Sequence, residues 1–225
     1  MAKTKIFIDG FNVYFGLLKY SPYKWLNIHS LFEFLVHEQD PASQITGCHF
    51  YSAMVKGKLA SRGARTVISQ QAYHRALKSI YTPPVELILS NHQIESGPLP
   101  RYVEGVAPNK QDRVNVWRIE EKETDVRMAL DAYRAAVGGS IDQLVVSTND
   151  TDLVPLLEAV REDAPQVLIG LVIPKQKDSG RQAAKRLTEL AHWTRKYVRS
   201  DELEAHQFPT KVATAKKPAF KPDYW

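Results

Sequence analysis

Four carboxylates stand where their type and position allow chemistry. Asp9 ends a short apolar run, Lys5-Ile6-Phe7-Ile8-Asp9, that reads as a buried strand closing on Gly10. Asp150 and Asp152, with Asn149, follow the clearest strand of the chain, Gln143-Leu144-Val145-Val146-Ser147-Thr148. Asp125 opens a helical pattern behind Glu120, Glu121 and Glu123. If the two strands lie parallel in one sheet, their acids converge on one edge, and a helix entering there adds Asp125. Such a group repels itself, each charge raising its neighbours' pKa, unless a cation offsets it. Oxygen-only ligands of this kind suit Mg²⁺ or Mn²⁺ rather than zinc.

Each acid also has a local account. Asp9-Gly10 is a common turn pair, and Asp150 or Asp152 can cap the following helix. Asp125 can simply favour the positive end of its helix. Asp131, six positions later and on another face, reads as a hydrogen-bonding or ion-pair partner. What sets the group apart is coincidence of position: Ser or Thr would cap as well, yet both strand ends carry acids.

The elements that must position them alternate. After the first strand, Asn12–Tyr20 reads as helix, broken by Ser21-Pro22, and Leu31, Phe32, Leu35 and Val36 mark a second. His49–Val55 is the next strand, Val67–Ile80 a helix, and Val85–Leu89 a third strand. Residues 95–113, rich in Gly, Pro and charge, read as a mobile surface excursion or hairpin, followed by a strand at Val114–Ile119. Thr124–Val137 is a helix whose apolar face is expected at Val126, Ala129, Leu130 and Tyr133. Pro155 marks the first turn of a helix carrying Leu153, Leu156, Leu157 and Val160. Gln166–Ile173 is a strand, Gln182–Trp193 a helix and Asp201–His206 a short last helix. Strands without polar alternation have both faces covered, so the expected fold is a three-layer α/β/α sandwich with a mainly parallel sheet. In such sheets ligands bind beyond the carboxyl ends of the strands, where strand order reverses.

Composition narrows the field. Thirty Lys and Arg against 25 Asp and Glu give +5, and the single cysteine, Cys48, allows no internal disulfide. A chain of 225 residues buries a core without staples. No apolar run approaches the ~20 residues of a membrane span, and Met1-Ala2-Lys3-Thr4-Lys5 enters a strand with no leader-like stretch, so a cytoplasmic protein is expected. Residues 1–208 read as one domain. Residues 209–225, with Lys211, Lys216, Lys217 and Lys221 against Asp223, read as a disordered basic tail. The seven histidines show no His-Glu-x-x-His spacing, and no Gly-x-Gly-x-x-Gly or Gly-Lys-Ser/Thr loop indicates a nucleotide cofactor.

Three segments taken together carry a resemblance: Phe7-Ile8-Asp9-Gly10-Phe11-Asn12, Glu121-Lys122-Glu123-Thr124-Asp125-Val126 through Asp131-Ala132, and Ser147-Thr148-Asn149-Asp150-Thr151-Asp152-Leu153-Val154-Pro155. They resemble the NYN domain of the PIN-like nuclease superfamily in its LabA-like branch, over roughly Lys5 to Ala191. The resemblance implies a PIN-like parallel-sheet fold and metal-dependent cleavage of RNA. Its pocket acids would be Asp9, Asp125, Asp150 and Asp152, holding Mg²⁺ or Mn²⁺, with Asn12 beside them to orient water or phosphate. Members often carry Gly where Glu123 and Asn149 stand here.

An acidic centre that takes an anionic substrate needs cations around it. Lys56, Lys58, Arg62 and Arg65 follow one strand, and Lys175, Lys177 and Arg181 another. Both groups read as phosphate contacts or as solvated loops. Tyr14, Tyr51 and Trp117 are candidates for stacking single-stranded bases. The partner the resemblance implies is RNA, expected as a single strand, with oligomeric state left open, a homodimer included. A non-catalytic RNA- or protein-binding regulator on the same scaffold is the alternative.

Overall fold

The structure, a computed structural model, describes residues 1–80 and 82–225. At its centre lies β1 (Lys3–Asp9), whose alternating side chains feed two separate cores. Ile6 and Ile8 enter one core, and Phe7 enters the other with Tyr51, Met128, Leu144 and Val146. That division is the signature of a sheet covered on both faces, and it explains why the strand shows no polar alternation.

Five further strands complete a six-stranded sheet: β2 (Gln44–Ala53), β3 (Val85–Ser90), β6 (Gln143–Ser147), β7 (Leu168–Val172) and β8 (Trp193–Arg195). Their spatial order is β3-β2-β1-β6-β7-β8, and every pair is parallel. The chain runs outward from β1 to β3, then restarts on the other side of β1. Strand order therefore reverses between β1 and β6, the two strands whose ends carry Asp9 and Asp150.

Helices cover both faces, giving the expected α/β/α sandwich. One layer holds α1 (Gly10–Val13), which continues as a π-helical turn over Tyr14–Leu18, with α2 (Ile28–His37) and α3 (Ala64–Leu77). The other holds α4 (Thr124–Val137), α5 (Val154–Asp163) and α6 (Lys185–Leu190). A short α7 (Ser200–Ala205) returns to the first layer through buried Leu203. Among the described residues no helix is long and apolar enough to cross a membrane.

The excursion belongs to a two-stranded antiparallel hairpin, β4 (His92–Pro100) and β5 (Arg113–Glu121), which also takes in the strand expected at Val114–Ile119. It stands apart from the central sheet.

Three expectations are corrected. The buried face of α4 is Met128, Ala132, Ala135 and Ala136, whereas Val126 and Leu130 are exposed. Two stripes share the helical period, and the helix turns its small residues inward, in line with Asp125, which lets it lie close to the sheet. The helix expected over Gln182–Trp193 ends at Leu190, and Trp193 instead opens β8. Its ring fills the space over Gly170, where an added Cβ would come within 2.1 Å of it, and its Nε1 donates to Gln143 Oε1 at 2.9 Å. Finally, residues 209–225 fold back on the first layer as β9 (Lys211–Val212) and β10 (Ala219–Phe220), burying Val212 and Ala219. Trp225 packs on Trp25 and Tyr73. The apolar residues scattered among the lysines supply the burial that composition alone conceals.

Two glycines let α1 leave β1 at the required angle. A Cβ on Gly10 would stand 2.4 Å from the Tyr51 carbonyl oxygen, and one on Gly16 would stand 1.7 Å from that of Pro174. Both obstacles are backbone, which cannot swing aside. Gly16→Ala is expected to lower stability by about 1–3 kcal/mol, the range for overpacking, measured by urea denaturation. Gly97→Ala, with nothing within 4 Å, is the control, and an equal loss in both variants would show that α1 moves freely.

Candidate active site

Asp9 is 2% exposed and ends β1 as the cap of α1. Its Oδ1 accepts from the Asn12 backbone N–H at 2.9 Å, and its Oδ2 accepts from Asn12 Nδ2 at 2.5 Å and from Thr148 Oγ1 at 3.1 Å. Thr148 in turn accepts from the Asp150 N–H at 3.0 Å, and Asn12 Oδ1 accepts from the Asn149 N–H at 3.2 Å. Asn12 and Thr148 thus stitch the ends of β1 and β6 together through hydrogen bonds on both sides. Asp150 also caps the next turn, accepting from the Asp152 N–H at 3.0 Å. The local roles available to Asp9 and Asp150 are real, and they coexist with a shared pocket.

The electrostatics define that pocket. Asp125 is pushed up to about 6, first by burial and then by the charges of Asp9, Asp150, Glu121 and Asp152. Asp9 is also raised, chiefly by burial, against the opposing hydrogen bonds from Asn12 and Thr148, with Asp150 adding to the rise. The four acids expected from the sequence are therefore electrostatic neighbours. They repel without forming a finished coordination shell: among the described residues no three His, Cys, Asp or Glu side chains converge on a point that would hold a metal ion. The donor chemistry fits a hard divalent cation, and the side chains must turn inward to ligate one.

Three contributors lie outside the set read from the sequence. Glu121 is the fifth acid, raised by burial, with Oε1 accepting from Ser90 Oγ at 2.7 Å. It ends β5, and only the hairpin brings it here, so its place in a run of glutamates carries no signal. Thr148 is the bridge just described. Asn149 contributes its side chain as a clamp: Nδ2 donates to the Gln182 carbonyl at 3.0 Å, and Oδ1 accepts from the Ala184 N–H at 2.8 Å. The clamp fixes the loop that carries Lys175 and Arg181, themselves joined by a Lys175 Nζ bond to the Arg181 carbonyl at 2.7 Å.

The other expected residues divide. Lys56 and Arg62 line a cleft that begins at Gly10, the residue after Asp9. Lys58 is exposed on the short turn Gly57–Leu59, Arg65 pairs with Asp223 at 3.7 Å, and Lys177 lies 6.0 Å from the Tyr197 ring centre. Tyr14 is partly open and lines the same cleft. Tyr51 is wholly buried and cannot stack a base: its hydroxyl donates to Asp131 at 2.9 Å, the hydrogen-bonding role expected of that acid. Trp117 is exposed on the hairpin.

Comparison with known proteins adds family and relatives. The NYN domain family model matches residues 3–191. The chain is 34% identical to 6-hydroxy-3-succinoylpyridine 3-monooxygenase HspA of Pseudomonas putida (strain DSM 28022 / S16), over 99% of this chain and 75% of that protein. A crystal structure of a protein of unknown function from Vibrio parahaemolyticus RIMD 2210633 aligns with 90% of this chain and 94% of that one, at 14% identity and a TM-score of 0.48.

Two outcomes follow from this geometry. Asp125 has a raised folded pKa, so its contribution to stability is present below the unfolded value and is lost as pH rises through about 6. Asp125→Asn removes that loss. It should melt higher than wild type at about pH 7.5 and show no gain near about pH 4. A gain independent of pH would take Asp125 out of the acidic group. Asn149→Gly releases the clamp on the 175–184 loop, and trypsin should then cut at Arg181 faster while the rest of the chain stays resistant. Equal cleavage rates would mean that Asn149 holds nothing.

Proposed function

The chain belongs to the NYN domain family, and from that premise we propose that it is a metal-dependent ribonuclease of the LabA-like branch, cutting phosphodiester bonds of single-stranded RNA in the cytoplasm. The observation that carries this reading is the gathering of Asp9, Asp125, Asp150 and Asp152 at the point where strand order reverses, with Asp125 raised by burial and then by the charges of the other three and of Glu121. Carboxylates crowded to mutual repulsion suit a divalent cation better than any neutral ligand.

Asp9, Asp125, Asp150 and Asp152 would hold Mg²⁺ or Mn²⁺. The cation supplies charge neutralisation at the scissile phosphate and acidifies water there. Asn12 orients rather than transfers protons, since an amide has no useful pKa; its hydrogen bonds to Asp9 and Asn149 fix the amide in one direction. Asp125 must be ionised to serve, and a cation in the pocket would favour that form, opposing the burial and neighbouring charges that raise its pKa in the empty pocket. Lys56 and Arg62 on one side, and Lys175 and Arg181 on the other, contact backbone phosphates without reading sequence, with exposed Lys58 and Lys177 extending the two basic loops.

One observation favours a second reading. The acids form no closed metal-binding group, and Asp9 and Asp150 already spend oxygens on local amides. A regulator that binds RNA or a protein without cutting would keep such a pocket. The relative's printed activity is a third outcome to check, because oxygenation of a pyridine needs O₂ and a source of electrons as well as the ring.

The deciding experiment is cleavage of a labelled single-stranded RNA with Mn²⁺, Mg²⁺ or EDTA, comparing wild type with Asp150→Asn. Metal-dependent cutting that falls about a hundredfold in the variant is expected, at least what loss of a metal site's supporting partner costs. Binding without cutting by either protein would install the regulator, and turnover of 6-hydroxy-3-succinoylpyridine by the wild type would replace the nuclease reading altogether.

A further inference from the structure

A cleft of about 630 Å³ opens beside Asp9, at Gly10, and runs along the first helical layer. One wall comes from α1 and its π-helical turn: Phe11 and Phe15 lie nearly parallel with centres 6.4 Å apart, and Tyr14 meets Phe15 edge-on at 5.3 Å. Phe15 is 47% exposed and Tyr20 91% exposed, both unusual for rings with so much surface to bury. Lys19 Nζ sits 4.9 Å from the centre of one ring and 5.0 Å from that of the other.

The opposite wall is built by the folded-back end of the chain. Tyr224 is held by Ser69 Oγ at 2.6 Å, and the Arg62 guanidinium lies 4.4 Å over its ring. Trp225 closes the floor against Trp25 and Tyr73. The lining includes Lys19, Lys24, Lys56 and Arg62 and, among the described residues, no aspartate or glutamate. The cations crowd one another enough that Arg62, after burial, depresses the Lys24 pKa. Exposed aromatic rings, and cations with no Asp or Glu beside them in the lining, in a space that reaches Gly10 next to Asp9, match one chemistry: a planar base joined to an anionic backbone.

We infer that this cleft is a base-stacking subsite, in which unpaired nucleobases next to the scissile phosphate stack on Phe15 and Tyr20 while Lys56 and Arg62 take the flanking phosphates. The inference rests on the nuclease reading for the position of the scissile bond. It makes the substrate single-stranded for a physical reason, because a base still paired in a helix has no free face to offer these rings. It also gives the end of the chain a function: Tyr224 holds Arg62 in place along the wall.

The test is fluorescence anisotropy in EDTA, so that no strand is cut, with a labelled RNA of about ten nucleotides. The probes are that strand, its blunt duplex and an abasic ribose-phosphate strand of the same length. Tight binding of the single strand and weak binding of the other two is expected. Phe15→Leu keeps the apolar bulk and loses the ring, and should weaken the single strand about tenfold without changing the abasic one. Phe15→Trp should restore affinity, and Tyr20→Ala, at a still more exposed position, should repeat the loss. Equal affinity for strand and duplex, or wild-type binding by both Phe15→Leu and Tyr20→Ala, would overturn the subsite. Because no cleavage is measured, a chain that stacks bases yet never cuts keeps the subsite and loses the nuclease, whereas one that cuts duplex and single strand alike does the reverse.

Discussion

Two negatively charged strand ends lie side by side because β1 and β6 are neighbours in a parallel sheet, and the surrounding structure has to hold them there against their repulsion. The sheet is what makes this possible. Ile6 and Ile8 on one face and Phe7 on the other are almost wholly buried, so β1 cannot shift in register without emptying both cores. Asp9 is fixed before any ligand arrives, and three hydrogen bonds from Asn12 and Thr148 support its charge. Asn12 and Thr148 also accept from the backbone N–H groups of Asn149 and Asp150, just past the end of β6. Rigidity of this kind holds the ends of β1 and β6 together despite the repulsion of their acids.

Glu123 and Asn149, the two positions at which the resemblance leads one to expect glycine, behave differently. Glu123 has φ 79°, and among the described residues it is the only non-glycine in the left-handed region. Glycine takes that conformation without cost, whereas a side chain there carries of order 1–3 kcal/mol of strain. The strained turn joins β5 to α4 and sets the start of the helix that presents Asp125. Asn149 has no such strain, and its side chain earns two hydrogen bonds to the 175–184 loop. Glu123 is held in its turn by the fold around it, and Asn149 is a structural tie within the site.

Much of this was legible in the residues because each signal was local. Apolar runs ending in acids gave the strands and their order along the chain, and the acids at those ends gave the pocket. What stayed hidden depended on partners far away in sequence. Glu121 reaches the pocket through a hairpin whose pairing, His92 to Glu121, no periodicity announces. The inward face of α4 was a choice between two stripes of equal period, settled by how closely the helix must approach the sheet. The tail looked disordered because lysines dominate its composition, while its order comes from a few well-spaced apolar residues, Val212, Ala219 and Trp225, finding a core already built. Tyr51 failed as a stacking candidate for the related reason that alternation along β2 aims it at the second core.

The placement of charge ties these features together. A net charge of +5 spread evenly would do little for an acidic pocket that must receive a polyanion. Here the charges are sorted: acids gather where β1 and β6 end, and cations gather in the adjoining cleft and on the clamped loop. A nucleic acid backbone approaching the acids alone would be repelled, and one held only by the cations would have no reason to stop at Asp9. On the ribonuclease reading proposed above, the basic surfaces would draw the strand in, and a cation among the acids would turn the one repulsive point into the place where a phosphate is held most tightly. The end of the chain takes part in this sorting: folded back on α3, it lays the Tyr224 ring under the Arg62 guanidinium and ties Tyr224 to Ser69, which fixes that cation on the cleft wall.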